Sequence, residues 1–245
     1  MQLSVSSGSD GILQRATFLT FGDSSSHIIT YPLADMVASA NRWVHKVATW
    51  IWAASGTWEF DDSNQSTLPV AYATMVDGQE DYSLPATTLQ IKEVEILSSD
   101  GVSWSKLRQV DKSEITEAWS EFERTKGFPY CYDIDGFSLI LKPAPDETMV
   151  TVANGLRIYL AREIVEFSIP ATYTTADTTQ PGFDELFHDI ICQGIAHDYL
   201  DAHGDPRADR IFQKIEVAHN DLNIHYGMKN KDNKIRISPR QERYD

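Results

Sequence analysis

The chain has 245 residues, of which 42% are apolar and 11% are aromatic. This is enough for one large domain or two small ones with a buried core, so wholesale disorder is excluded. The formal charge of −15 argues against nucleic acid as the main ligand, because DNA binding depends on cations that neutralise phosphate. Residues 229–245 carry a net charge of +3 and residues 1–228 carry −18, so an acidic body precedes a basic tail.

The N-terminal sequence and the cysteines indicate a soluble, non-secreted protein from a reducing compartment. Residues 1–11 have neither the basic nor the apolar region of a signal peptide. The longest largely apolar run, residues 47–54, contains Thr49 and is far shorter than the ~20 residues of a membrane span. Cys131 and Cys192 lie far apart without a paired spacing, which predicts two buried free thiols.

The first part of the chain divides into an arm and a helix. Residues 1–29 are rich in Ser and Gly, and only residues 16–21 alternate as a short strand does, so we expect an arm that orders against a partner. Residues 30–56 form the first helical part, with a helix over residues 31–54. Asp35 lies in its first turn, where a carboxylate favours the helix dipole. Trp43, Trp50 and Trp52 lie beside the apolar stripe and either cover the core or face a neighbouring subunit.

The hydrophobic period changes from helical to two over residues 57–180, which predicts a β-rich insertion with one short helix. The alternation of apolar residues slips by one between Ile91 and Val94, which indicates a bulge. Asp135-Gly136 predicts a tight hairpin turn. The remaining predicted elements are a strand with Val102 and Trp104, a helix opened by Asp111-Lys112-Ser113-Glu114 that ends near residue 126, and strands over residues 149–160 and 164–169.

Two further helices follow over residues 181–228. Pro181-Gly182 opens the first, and Gly194 within it allows a partner helix to approach closely. Gly204 ends this helix, and Asp205-Pro206 starts the last one, which Gly227 closes. Each of the three long predicted helices has a single apolar stripe that needs a partner.

These patterns predict an α+β fold in which one N-terminal and two C-terminal helices form a bundle around a central antiparallel β insertion, followed by an extended C-terminal tail. The expected helical core is Leu33, Val37, Ala40, Val44, Ile51, Phe183, Leu186, Phe187, Ile190, Ile191, Ile195, Ile211, Ile215 and Leu222. The tail, residues 229–245, has no helical period and few apolar residues, so we expect it to order only on a partner.

No motif in the chain predicts catalysis. Asp184, His188 and Cys192 share a helix face at a spacing that metal sites use, but without a paired motif a polar flank is the better interpretation. Glu93 and Glu95 are expected on a solvated strand face. We therefore expect no enzyme activity, no cofactor and no metal.

Five motifs in this order resemble the head-to-tail adaptor (connector or neck) proteins of tailed bacteriophages over roughly residues 30–228. They are Ala40-Asn41-Arg42, Tyr82-Ser83-Leu84-Pro85, Gly127-Phe128-Pro129-Tyr130, Leu139-Ile140-Leu141-Lys142-Pro143-Ala144-Pro145 and Ile195-Ala196-His197-Asp198-Tyr199-Leu200. The resemblance implies a structural protein of the virion neck, assembled in the host cytoplasm and without a membrane partner.

The same resemblance implies a homo-oligomeric, dodecameric ring beneath the portal. Its channel passes viral DNA without sequence-specific binding, and its lower surface receives the tail or the next neck protein. The basic tail occupies the position of the segment that reaches into the portal in such adaptors. Its expected portal-binding residues are Lys229, Lys231, Lys234, Ile235, Arg236, Ile237, Arg240, Arg243 and Tyr244.

Two alternatives stay open at this point. The chain can be another tail-completion or baseplate protein that uses the β insertion for docking. A purified ring of fixed symmetry that binds the portal would favour the adaptor over this alternative. It can also be a carbohydrate-binding or hydrolase module, which a bound metal or two carboxylates converging in a pocket would favour.

Overall fold

A computed structural model describes residues 1–6, 10–55, 68–110, 126–148 and 153–229. The fold is α+β, as predicted, with four helices and several sheets among these residues. Within the same residues, no helix combines the length and the apolar character that crossing a membrane requires.

One compact unit, the helical unit, is formed by Met1–Ser66 and Ile164–Asp245. Its helices are α1 Ile12–Phe21, α2 Leu33–Ser55, α3 Asp189–Ala202 and α4 Arg207–Lys229, with a 3-10 turn at Glu185–Phe187. Helix α3 contacts the other three, and α2 also contacts α4. Their apolar side chains share one hydrophobic core.

Helix α1 corrects the prediction of a strand over residues 16–21. The Thr17 and Thr20 hydroxyls donate to backbone carbonyls four residues earlier, at 2.8 Å each, so these polar side chains are satisfied inside a helix. Ile12, Leu13 and Ala16 are fully buried. The alternation of polar and apolar residues therefore reflects threonines whose hydroxyls bond to carbonyls of their own helix, and not the two faces of a strand.

The predicted close approach at Gly194 is confirmed. A Cβ on Gly194 would lie 2.2 Å from Cδ2 of Trp43 in α2, far inside van der Waals contact. The bare backbone of α3 therefore gives the indole ring its place in the core.

The starts and ends of α3 and α4 differ partly from the prediction. The α-helical part of the segment begins only at Asp189, because a 3-10 turn precedes it. Gly204 follows the end of α3 with φ +65°, as a residue that ends a helix does. Gly227 does not end α4, which continues to Lys229.

The chain re-enters the helical unit in an extended segment that is not a strand, so the prediction for residues 164–169 is wrong. The side-chain amide of Asn41 replaces the missing ladder. Its Oδ1 accepts from the backbone N–H of Phe167 at 2.8 Å, and its Nδ2 donates to the carbonyl of Phe167 at 3.0 Å. A segment whose backbone bonds to a side chain, as this one does to Asn41, can show the same alternation of apolar residues as a strand.

The second compact unit, the β unit, is formed by Thr67–Glu163. Its strands are β1 Val70–Ala73, β2 Asp81–Ser83, β3 Thr88–Leu97, β4 Trp104–Lys106, β5 Arg108–Gln109, β6 Lys126–Gly127, β7 Cys131–Asp135, β8 Ser138–Lys142, β9 Ala144–Pro145 and β10 Leu156–Arg162. The described strands form two four-stranded sheets, with orders β1-β10-β3-β4 and β2-β8-β7-β5, and a small β6-β9 pair. Pairing is antiparallel except for β5 with β7 and β6 with β9.

Both local predictions for the β unit are confirmed. The β3–β10 register shifts between Tyr159 and Leu160, opposite the predicted bulge of β3. Gly136, with φ +60°, closes the β7–β8 hairpin. Val94 and Ile96 of β3 pack in one core with residues of β8, such as Leu139 and Leu141, so the two sheets face each other as a sandwich.

Several predicted elements lie wholly or partly outside the described residues. These are the helix over residues 111–126, the first part of the strand over residues 149–160, and the tail beyond Lys229.

Candidate interaction surfaces

The side chains predicted for the helical core lie in the helical unit as follows. Val37, Ala40, Val44, Ile51, Phe183, Phe187, Ile190, Ile191, Ile195, Ile211, Ile215 and Leu222 are buried in its hydrophobic core, and Leu33 is half-buried against it. Leu186 contradicts the prediction, because its side chain is 75% exposed. The predicted stripe assumed α-helical periodicity back to residue 183, whereas the 3-10 turn at Glu185–Phe187 breaks that period.

Of the predicted portal-binding residues, the structure places only Lys229, the last residue of α4. Lys231, Lys234, Ile235, Arg236, Ile237, Arg240, Arg243 and Tyr244 lie outside the described residues. The first residue of the predicted tail is therefore the last residue of α4.

The three residues that share a metal-like spacing have separate structural roles. Asp184 accepts from the N–H of Leu186 and caps the 3-10 turn. His188 is buried, with Nε2 lying 2.8 Å from the carbonyl of Phe183. The Cys192 thiol is buried and directed at the carbonyl of His188, and burial raises its pKa, so it is a poor nucleophile. The described residues contain no group of three or more potential ligands that could hold a metal ion.

Both cysteines are free and buried, as predicted. Burial also raises the pKa of the Cys131 thiol, which donates towards the carbonyl of Lys142. Neither thiol has the lowered pKa that reactive cysteines need.

The outer face of the first sheet carries an ordered set of charged and aromatic side chains. Glu93 pairs with Lys106 at 2.8 Å. Glu95 accepts from Nε of Arg157 at 2.8 Å, and the guanidinium of Arg157 lies 4.0 Å from the ring centroid of Trp104. Glu95 is thus more shielded than the solvated strand face that its spacing predicted. These carboxylates are paired with cations rather than with each other, so they do not form an acid–base pair.

A partly buried ion pair in the β unit was not predicted from the sequence. The ammonium of Lys142, a buried residue at the end of β8, bonds the carboxylate of Glu80, whose side chain is 26% exposed. Breaking such a pair leaves an uncompensated buried charge, whereas the intact pair adds little stability. Its role is to fix how the segment before β2 lies along β8.

Aromatic side chains on α2 form a cluster in the helical unit. Trp43 is buried in the core, while Trp50 and Trp52 are half-buried and pack against it. Lys46 Nζ lies 4.3 Å from the Trp43 ring centroid and 5.5 Å from that of Trp50. His219 of α4 stacks on Trp50 with ring centroids 4.0 Å apart. The cluster therefore ties α2 to α4.

Helix α4 presents a second, outward apolar stripe in addition to its core face. Val217, Ile224 and Met228 are exposed and recur at helical spacing. Ile224 and Met228 line a shallow pocket of about 290 Å³ together with Gly227. This exposed stripe is a candidate contact surface for another chain.

The β unit has a larger open cleft of about 490 Å³. Its apolar lining comes from Leu84, Leu89, Ile91, Ile134 and Phe137, with Gln90 and Gln109 beside them. None of its lining residues is charged. The first half of β3 and the β7–β8 turn contribute most of these residues.

The chain matches one family model, that of the SU10 adaptor protein, over residues 15–231. No curated protein matches it. The matched range includes α1 from its fourth residue, the whole β unit and α4.

Proposed function

The chain belongs to the SU10 adaptor protein family, a family of phage head-to-tail adaptors, and on that premise we propose that its copies form a ring beneath the portal. It is a structural adaptor protein of a phage. In the proposed assembly about twelve copies, related by rotation, join the capsid to the tail or the next neck protein. The family match is the observation that carries this proposal.

The proposed frame of each subunit is a helical bundle of α2, α3 and α4. Two observations support it: α3 contacts α1, α2 and α4, and the buried stripes of these helices share one core. A rigid frame lets the outward stripe of α4 contact a neighbour without refolding, which lowers the entropy lost on assembly. Formation of this frame would take place in the host cytoplasm before incorporation into the virion.

The proposed channel passes DNA without holding it. Residues 1–228 carry −18, and acidic walls repel phosphate and keep a sliding polymer away from the surface. No base-specific contact is required for this role. Binding of duplex DNA by the assembled ring at physiological salt would contradict the proposal.

The ring is tested with purified protein and purified portal. We expect light scattering or electron microscopy to show a closed ring of many 27.6 kDa subunits on the portal. Val217→Asp together with Ile224→Asp should weaken ring formation, while Leu68→Asp, at an exposed apolar residue of the β unit, serves as a control. Binding of single, separate subunits to the portal, with no ring at any protein concentration, would refute the proposed assembly.

The tail, residues 229–245, is proposed to bind the portal. The motivation is its net charge of +3 on an acidic chain and its position at the C-terminal end of α4, whose last residue is Lys229. Exposed ion pairs contribute at most about 1 kcal/mol each, but a ring of tails multiplies them through avidity. Truncation after Met228 should spare the fold, as shown by circular dichroism, and abolish attachment to DNA-filled heads.

A variant with Lys231, Lys234, Arg236, Arg240 and Arg243 changed to Gln keeps the length of the tail and changes its net charge from +3 to −2. We expect this variant to attach weakly, and attachment of the wild type to weaken as salt rises because exposed pairs are screened. Equal attachment by the wild-type, truncated and neutralised proteins at every salt concentration would move the portal contact to the helical unit.

A further inference from the structure

The first turn of helix α1 is capped by the backbone of residues 2–5. The N-cap residue of α1 is Gly11, which has no side chain to accept from the free N–H groups of that turn. The N–H groups of Ile12 and Leu13 instead donate to the carbonyls of Gln2 and Leu3, at 2.9 and 3.0 Å. A helix of ten residues is marginal in isolation, so α1 depends on this backbone cap.

The same short segment also pairs with residues 173–179, which lie ahead of the 3-10 turn. Ser4 and Asp177 form an antiparallel bridge. The N–H of Asp177 donates to the carbonyl of Ser4, and the N–H of Leu3 donates to the carbonyl of Thr179, at 3.0 Å each. Leu3 is fully buried. Residues 173–179 belong to no helix or strand, so their order depends on partners such as these.

Gln14 of α1 joins the two extended segments through its buried side-chain amide. Its Nε2 donates to the carbonyls of Val5 and Tyr173, at 3.2 and 3.1 Å, and its Oε1 accepts from the N–H of Val5 at 3.3 Å. The Tyr173 hydroxyl donates in turn to Thr17 of α1 at 2.9 Å. Residues 2–5, α1 and residues 173–179 therefore supply hydrogen-bond partners to one another.

Helix α1 has fewer neighbours than the other helices of its unit. It packs chiefly on α3, whereas α2, α3 and α4 all contact one another. It runs along α3 from Asp189, which Arg15 meets at 3.3 Å, to Tyr199, whose ring centroid lies 5.2 Å from that of Phe21. The pair of Arg15 with Asp189 is half-exposed and adds little stability. Departure of α1 would therefore leave the contacts among the other three helices in place.

We propose that residues 2–5, α1 and residues 173–179 form one conformational device, the N-terminal strap, which opens and closes as a unit while α2, α3 and α4 stay folded. Loss of any part removes hydrogen-bond partners of the other two, so the three parts open together. The closed strap covers the flank of α3 from Asp189 to Tyr199, and the open strap exposes it. The proposal needs neither the ring nor the portal attachment, so it can fail while the proposed function stands.

Native-state hydrogen exchange of the full-length protein tests this cooperativity. Gln14→Ala removes the three hydrogen bonds that join the extended segments. Gln213→Ala is the matched control, because Gln213 is an exposed glutamine of α4. In Gln14→Ala we expect exchange to become at least about tenfold faster at Leu3, throughout α1 and at residues 173–179. Exchange in the rest of the helical unit, and everywhere in the control, should be unchanged.

A disulfide between the bridge partners provides the opposite perturbation. Residues paired across an antiparallel bridge have Cα atoms about 4.5–5.5 Å apart, which a disulfide can span, so Ser4→Cys with Asp177→Cys should form one. The native Cys131 and Cys192 are buried and do not compete. Relative to the reduced form of the same variant, the oxidised form should exchange at least about tenfold more slowly throughout α1, although α1 carries neither cysteine.

Three outcomes would overturn the proposal. The first is faster exchange in Gln14→Ala that is confined to Val5 and Tyr173, since the parts would then open separately. The second is equal acceleration in α2, α3 and α4, since the strap would then open only with the whole helical unit. The third is a disulfide that fails to form or that slows exchange only beside the two cysteines, and this result decides the matter if Gln14→Ala does not fold.

Discussion

Adding one methyl group to α3 tests the closest contact in the helical unit. In Gly194→Ala the new Cβ would lie 2.2 Å from Cδ2, 2.3 Å from Cγ and 2.4 Å from Cε2 of Trp43, whereas ordinary contacts begin at 3.4 Å. The ring must therefore move by roughly 1 Å or more, as overpacking in a dense core demands. It cannot move freely, because Trp43 is buried and Lys46 lies over its ring.

The expected change in stability combines two opposing effects. Overpacking costs about 1–3 kcal/mol, and the large overlap places this site near the upper limit. Replacing Gly by Ala inside a helix contributes about 1 kcal/mol in the other direction. We therefore expect Gly194→Ala to lower the free energy of unfolding by about 2 kcal/mol.

Gly227→Ala is the matched control, because Gly227 lies in helix α4 and its Cβ would meet nothing within 4 Å. It should be neutral or stabilise the protein by up to about 1 kcal/mol. Urea unfolding followed by far-ultraviolet circular dichroism measures both, since the helices report on this unit. Combining Gly194→Ala with Trp43→Phe should cost less than the sum of the two single changes, because the smaller ring makes room. A Gly194→Ala protein as stable as the wild type would refute the packing argument.

Three further substitutions test other parts of the helical unit. Ile191→Asp should abolish folding because Ile191 is fully buried, whereas Leu186→Asp should not, and a folded Ile191→Asp protein by circular dichroism would contradict the assignment. Asn41→Ala removes both hydrogen bonds to Phe167 and should lower the free energy of unfolding by about 1–3 kcal/mol. It should also speed proteolysis within residues 164–169. Unchanged cleavage would show that the Asn41 amide does not hold this segment in place. Burial raises the pKa of the Tyr31 hydroxyl from 10.0 to about 12, so its contribution to stability is fully present below pH 10 and is lost as the pH rises towards 12. The Tyr31→Phe variant should therefore lose less of its resistance to urea between pH 10 and 12 than the wild type does. An identical pH profile for the two proteins would count against this.

Local signals in the sequence predicted a hairpin turn, a bulge and the end of α3, although not the start of α3 or the end of α4. The Asp135-Gly136 hairpin, the slip in β3, and Gly204 followed by Asp205 each depend on the backbone preferences of one or two residues. The close approach at Gly194 was also predictable, because a glycine inside an apolar helix stripe commonly marks a point where another element packs against the bare backbone.

Long-range contacts decide the parts that the sequence did not predict. Helix α1 lies in a Ser- and Gly-rich stretch, and its place is fixed by distant partners, such as the bond from Gln14 Nε2 to the Tyr173 carbonyl at 3.1 Å. The open cleft is lined by residues from distant parts of the chain, such as Leu84, Ile91 and Phe137, which no local pattern brings together. Leu186 was wrongly predicted to be buried because a 3-10 turn and an α-helix can begin with the same capping residue, here Asp184.

The division of the helical unit between two distant stretches of chain has a consequence during synthesis. Helix α2 ends at Ser55, and its partner α3 begins at Asp189, roughly 130 residues later, which takes on the order of ten seconds at about 5–20 residues per second. For that time the apolar stripe of α2 has emerged from the ribosome without its partners, while the β unit, whose residues are contiguous, can already fold. The nascent chain is therefore exposed to aggregation at α2, and a chaperone that covers apolar helices would increase the yield of folded protein more than one that acts on the finished chain.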